Sequence, residues 1–323
     1  MAERQFAIVA DIGGTNARFS RVALDTLALD QVAVYPCADF PTLAAALQHY
    51  QQQLGLTAIK DVAIAIACPV NGDNVKMTNF HWQFSIKAMQ AELQLNTLLV
   101  MNDFTAVAMC LPALAEDQKI QIGGGQAQAD KPMAVLGAGT GLGVAHLLPV
   151  DGKFLPLPGE EGGHVDWAAQ TEQEWFIQRQ LAAQYGHVSP ERLLSGPGLE
   201  AIYQALAVFQ KLEVAPLTAG EIGQQALSGQ SQLAKDAVAQ FYASLGAVAG
   251  DLALTLSTFG GVYVAGGIVP KLLPLLGSSE FRARFEAKGR FALFNQQIPT
   301  FIVTAEQPGL LGAAVYLKQT LAG

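Results

Sequence analysis

The chain has 323 residues, long for one compact core, so two lobes are expected. Hydrophobic residues make up 51% and charged ones 14%, which is too apolar for a disordered chain and ample for buried cores. A formal net charge of −8 argues against a nucleic-acid surface, which gathers Lys and Arg to neutralise phosphates, and leaves small anionic ligands admissible where backbone amides or Mg2+ carry their charge.

In chain order, residues 5–10 read as a buried strand, a glycine turn follows, and "ARFSRVAL" (17–24) alternates as a second strand, which makes a hairpin. Further strands are predicted at 31–35, 61–67 and 97–101, with helices near 41–53, 84–94 and 103–114. "AVLGAGTGLGVAHLL" (134–148) then repeats the opening strand-turn-strand, with Gly137, Gly139 and Gly141 aligned on Asp11, Gly13 and Thr15, an offset of 126 residues that suggests a duplicated architecture. From 171 the chain turns helical. "EQEWFIQRQLAAQYG" stops at Gly186, and residues 231–257 set Ala234, Val238, Phe241, Leu245, Val248, Leu252 and Leu256 on one stripe. Residues 252–270 carry no charge, but four glycines and a terminal proline break them into a helix end, a turn, a short strand and another turn, so buried core is expected there and not a membrane span. A basic helix near 279–289, a strand at 299–304 and a last helix, "GLLGAAVYLKQTL", complete the predicted α/β chain.

Cys37, Cys68 and Cys110 are odd in number, widely spaced and without a C-x-x-C pair, so buried thiols in a reducing cytoplasm are expected, and neither a disulfide framework nor a zinc site. The apolar run Phe6–Ala10 stops at Asp11 and is too short for a secretory signal.

Three glycine turns, at 13–14, 137–143 and 266–267, stand out. Glycine lets a backbone approach a ligand closely, and successive N–H groups in such turns cradle anions; the plainer role is hairpin closure. A P-loop is excluded, because the sole Gly-Lys, Gly152-Lys153, is followed by Phe154, and a dinucleotide fingerprint is disfavoured by Leu142 where its third glycine belongs. Asp11, at the end of its strand, suits Mg2+ beside phosphates or a cap on its own turn. Thr15 and Asn16 suit phosphate oxygens or the shape of the hairpin. Asn102 and Asp103 end one apolar strand and open a helix, where open sheets bind ligands and where Asp also serves as an N-cap. Glu161 and His164, three apart around two glycines, can face one polyhydroxylated ligand, a metal ion or solvent. Glu191 by itself reads as an exposed first-turn acid after Pro190.

Taken together, "DIGGTNARF", "IACPV", "MTNFHW", "NDFTAVA", "GAGTGLGVAH", "EGGHVD", "SPERLLSGPGL", "TFGGVYVAGGIVP" and "QPGLLGAA", collinear from residue 6 to about 318, resemble the bacterial glucokinase family of the actin-like ATPase superfamily. The resemblance implies a two-lobed α/β, ribonuclease H-like fold with the active site in a cleft, one lobe of 1–113 plus 303–323 and another of 114–302. It implies ATP-dependent phosphorylation of D-glucose at the 6-hydroxyl, in the cytoplasm, by a homodimer. Asp103 corresponds to the catalytic base, near the ordinary aspartate pKa of about 3.9, and Asn102, Glu161, His164 and Glu191 to sugar-binding residues. Asp11 would organise Mg2+; Gly13, Gly14, Thr15, Asn16, Gly139, Thr140 and Gly141 would hold the ATP phosphates, and Gly266 and Gly267 the adenosine end. The family string P-G-E-G-G-H here carries tandem Glu160 and Glu161, an extra residue, and Glu161 keeps the spacing. The chain has no Cys-rich zinc motif, and with Asp11 so near the first residue no DNA-reading helix-turn-helix is expected. A silent sugar or nucleotide sensor, or a kinase for another hexose, is the alternative.

Overall fold

The computed structural model describes residues 5–157 and 161–322. Its elements run β1 (Phe6–Ile12), β2 (Asn16–Ala23), β3 (Ala28–Pro36), α1 (Leu43–Gln53), β4 (Asp61–Ile66), β5 (Asn74–Lys76), β6 (Gln83–Ser85), α2 (Ile86–Glu92), β7 (Thr97–Asn102), α3 (Asp103–Cys110) and β8 (Lys119–Ile122). There follow β9 (Met133–Ala138), β10 (Leu142–Val150), β11 (Lys153–Pro156), α4 (Glu172–Tyr185), α5 (Gly196–Phe209), α6 (Ala219–Ser228) and α7 (Gln232–Leu256). The chain closes with β12 (Gly261–Ala265), α8 (Val269–Leu276), α9 (Phe281–Glu286), α10 (Ala292–Gln296), β13 (Thr300–Val303) and α11 (Pro308–Leu321).

The chain forms two units. The first takes the described residues of Met1–Ala115, Val150–Gly159 and Ala305–Gly323; the second takes those of Glu116–Pro149 and Glu160–Thr304. Among the described residues the expected division at 113/114 and 302/303 differs chiefly at 150–157, which the sequence reading put in the other lobe. There Phe154 exchanges two hydrogen bonds of 2.9 Å with the Gln319 side chain on α11, which ties β11 to the first unit.

In the first unit the strand order is β3-β2-β1-β4-β7, with β1 antiparallel to β2 and parallel to β4. Ile8, Ile12, Phe19, Ile64 and Val100 bury one face against α1, while Val9, Ala63 and Met101 meet α11 on the other. Gly312 of α11 lies so close to the Ala106 carbonyl of α3 that a side chain would not fit. In the second unit β10-β9-β12-β13 repeats the order β2-β1-β4-β7, antiparallel β9–β10 and parallel β9–β12–β13, and β8 adds an antiparallel edge beside β13. The core helix α7 is long and apolar enough to cross a membrane by length and composition, but 78% of its most apolar window is buried inside the protein. Of the predicted stripe, Ala234, Val238, Phe241, Leu245 and Val248 are buried, and Leu252 and Leu256 half-buried.

Three predicted helices are shorter than expected. The helix expected at 84–94 starts at Ile86, because residues 83–85 pair with β5 and the Ser85 hydroxyl caps the helix on the Ala88 N–H. The helix expected at 103–114 tightens at Leu111, where Pro112 supplies no N–H. The basic helix near 279–289 is the single stretch Phe281–Glu286.

Candidate active site

Asn102 and Asp103 divide the work at the β7–α3 junction. Asn102 is the N-cap: its Oδ1 accepts from the Phe104 and Thr105 N–H groups at 2.9 and 3.3 Å, and its Nδ2 donates to the Cys68 carbonyl at 3.2 Å. Asp103 is therefore the first helical residue and not the cap, although its Oδ1 also accepts from Phe104 N–H at 2.9 Å. The open end of the sheet thus presents a half-buried carboxylate. Desolvation, with the negative charge of Asp11 second, pushes its pKa up to about 6 against hydrogen bonds that pull it down. The ordinary value expected from sequence is corrected upward, toward what a base working near neutrality needs.

Asp11 ends β1, opposite Arg18 on β2, whose Nη1 lies 3.7 Å from Oδ2. Desolvation raises its pKa while Arg18 opposes the rise. Among the described residues its carboxylate makes no bond to its own turn; the Gly13 N–H closes that turn on the Asn16 carbonyl at 2.9 Å. The Thr15 carbonyl accepts from Cys37 N–H at 2.8 Å and anchors the turn to the following 3-10 segment. Gly309, in the first turn of α11, approaches so closely that a Cβ there would stand 3.1 Å from Asp11 Oδ2. The carboxylate oxygens suit a hard cation, while the helix N-terminus and the arginine beside them favour anions such as phosphates. Among the described residues no cluster of three or more His, Cys, Asp or Glu is arranged to hold a metal. Cys37, Cys68 and Cys110 are free and buried.

In the second unit three sugar-binding candidates meet. His164 Nε2 lies 3.7 Å from Glu161 Oε2, and Nδ1 lies 3.9 Å from Glu191 Oε1. The two glycines between Glu161 and His164 are there for space: a Cβ at Gly162 would strike Val144, and one at Gly163 the Leu142 carbonyl. Glu160 falls outside the described residues. Glu191 is half-buried in a 3-10 turn and accepts the Leu142 N–H at 2.9 Å, so it is not the exposed first-turn acid that its context suggests. The Nε2 of His187 donates to the His164 carbonyl at 2.9 Å and its Nδ1 lies 3.2 Å from Asp166 Oδ1, a support that the sequence reading missed.

The turn 139–141 borders a cavity of about 840 Å3, within the range of ligand sites. Gly139, Thr140 and Gly267 line it, together with Gly196, Gly220 and Lys271. At Gly139 and Gly267 a Cβ would meet no protein atom, whereas Gly266, at φ +88, is held against the Ala138 carbonyl. Gly141 makes room for Glu191, whose Oε2 a Cβ there would approach to 2.6 Å. The walls from α5, α6 and α8 are absent from the sequence reading, which names no helix for "SGPGL", "TAGEIG" or "GIVPK". The signal was present as Ser195 and Thr218 caps and as prolines in the first turns of α5 and α8.

Comparison with known proteins agrees across the whole length. The family model described as Glucokinase matches residues 8–320. A glucokinase of Psychromonas ingrahamii is 49% identical over 318 residues, 98% of each chain. The crystal structure of a glucokinase from an Antarctic psychrotroph superposes with a TM-score of 0.90 at 34% identity, covering 98% of this chain and 100% of that one. A ROK family glucokinase from Streptomyces griseus, crystallised with glucose and AMPPNP, shares the fold at a TM-score of 0.64 and 18% identity, over 98% and 100% of the two chains.

Proposed function

This chain belongs to the glucokinase family, and from that premise we propose that it transfers the terminal phosphoryl group of ATP to the 6-hydroxyl of D-glucose, with Asp103 as general base. Its fold is the α/β architecture of actin-like ATPases, and its class that of ATP-dependent hexose kinases.

The observation that carries the residue assignment is the β7–α3 junction. Asn102 takes the capping duty, and a desolvated Asp103 with a pKa near 6 is left to the ligand side. A carboxylate so tuned orients the 6-hydroxyl and takes its proton late, which suffices because phosphoryl transfer through a loose transition state depends on position and charge stabilisation. Asn102, through the Nδ2 hydrogen not given to Cys68, and Glu161, His164 and Glu191 would bind hydroxyls of the sugar, carboxylates accepting and imidazole donating or accepting. The backbone turns 13–16 and 139–141 would receive the phosphates, and the cavity bordered by Gly267 the adenosine end. Asp11 would hold the Mg2+ that accompanies ATP, which when bound neutralises phosphate charge. A homodimer and a reducing cytoplasm, congenial to three free thiols, complete the proposal.

The test is ADP release from Mg-ATP with glucose, fructose, mannose, N-acetylglucosamine, glycerol and acetate, beside a control without acceptor. Turnover selective for glucose is expected. Selective turnover on another acceptor would overturn the substrate, and binding without turnover would overturn the activity in favour of a sensor.

A further inference from the structure

The stretch Ser189–Gly198 touches both the sugar candidates and the cavity. Near its start, Glu191 accepts the Leu142 N–H, just past the turn 139–141, and faces His164. Near its end, the Gly196 N–H donates to the Gly139 carbonyl at 2.8 Å, and Gly196 and Pro197 line the cavity beside Gly139 and Thr140. The chain between is stiff. The N–H groups of Arg192, Leu193 and Leu194 close on the carbonyls of Ser189 and Pro190 at 2.7–3.0 Å, and the Leu193 and Leu194 side chains are fully buried. Gly198 packs so tightly on Leu193 that a Cβ would stand 2.5 Å from its carbonyl.

Ser195 fastens the two ends. It is 3% exposed, and its Oγ donates to the Glu191 carbonyl at 2.8 Å while accepting the Gly198 N–H at 3.0 Å as the N-cap of α5. One hydroxyl therefore joins the backbone of Glu191 to the helix start that walls the cavity.

We propose that Ser195 is a positioning residue that couples the sugar clamp to the nucleotide cavity, so that a hexose held by Glu191 and His164 tightens the binding of ATP. This inference rests on the reading of the site as hexose- and ATP-binding. Without the Ser195 hydroxyl, the Glu191 carbonyl and the Gly198 N–H lose the one side chain that bonds both, and the coupling between the two ends falls.

Calorimetric titration of AMPPNP into the full chain, with and without saturating glucose, reads the coupling as a ratio of two Kd values. The native ratio is expected at about tenfold, falling below about twofold in Ser195→Ala with the affinity for glucose alone held within about threefold. Ser195→Thr, which keeps the hydroxyl, restores the ratio. A merely structural role would weaken both ligands together and leave the ratio intact. A native ratio near one, or a native ratio retained in Ser195→Ala, overturns the proposal. If Ser195→Ala does not fold, Ser195→Cys, which keeps the size of the side chain but hydrogen-bonds weakly, is expected to lose most of the ratio, and its retention overturns the proposal. Failure of the functional reading is distinct, since it appears in the native chain as no ADP release with glucose.

Discussion

The two glycine hairpins share a topology and differ in what they present. In the first, β1 and β2 bring Asp11 opposite Arg18 beside the turn at 13–15, and the carboxylate stays desolvated beside α11. In the second, Gly137 stands opposite Gly143, three residues make the turn, and the missing side chains make room for Glu191 and for the cavity. The same strand-turn-strand thus supplies charge in one unit and space in the other. The lesson is that a duplicated backbone scheme sets where a ligand's parts go, while single substitutions on it divide the chemistry.

The largest expected effect tests the charge-bearing unit. Asp103→Asn is expected to lower kcat at least ~10²-fold with glucose affinity largely spared, as measured by coupled ADP release and glucose titration. Near-native turnover would remove Asp103 from the chemistry and leave the first unit without a base. The second effect is in pH. The active form of Asp103 is the carboxylate, so kcat/KM for glucose is expected to be level above a midpoint near 6 and to fall with acidification, about tenfold per pH unit well below it. A midpoint near the ordinary carboxylate value would show that desolvation and the Asp11 charge do not act on the base. The third effect sharpens the contrast from the other side. Gly139→Ala and Gly267→Ala meet no protein atom, so melting is expected to change little, while each methyl enters the cavity and raises the KM for ATP by about tenfold. An unchanged KM would place the nucleotide elsewhere.

Much of this was legible because periodicity and glycine placement act locally. The first hairpin, the strand before Asp103, α4 and α7 all followed from patterns within one element, and the repeat at 134–148 carried over into matching strand orders. What the sequence hid depends on distant partners. Glu191 looks like a surface acid until the Leu142 N–H, 49 residues away, reaches it. Asp103 looks like a cap until Asn102 is seen to hold the Phe104 and Thr105 N–H groups, and its raised pKa needs Asp11, from another strand, as well as burial. The starts of α5 and α6 hid behind glycines whose role is close packing: Gly198 fits against Leu193, and Gly223 against Leu272 of α8.

The smallest expected effect separates a structural partner from a phosphate ligand. Arg18 is paired across the hairpin with Asp11 at 3.7 Å, and both side chains are about one-third exposed. A pair so placed is screened and contributes about 0–1 kcal/mol. Arg18→Ala is therefore expected to change kcat/KM for ATP by no more than about fivefold, the rate equivalent of that energy. Removing the guanidinium takes away the charge that holds the Asp11 pKa down, so any loss should be greatest at acidic pH. A loss beyond a hundredfold that persists at neutral pH would mean that the arginine itself meets the phosphates. The first hairpin would then supply charge of both signs, and the division between a charged turn and an open one would hold only for the second.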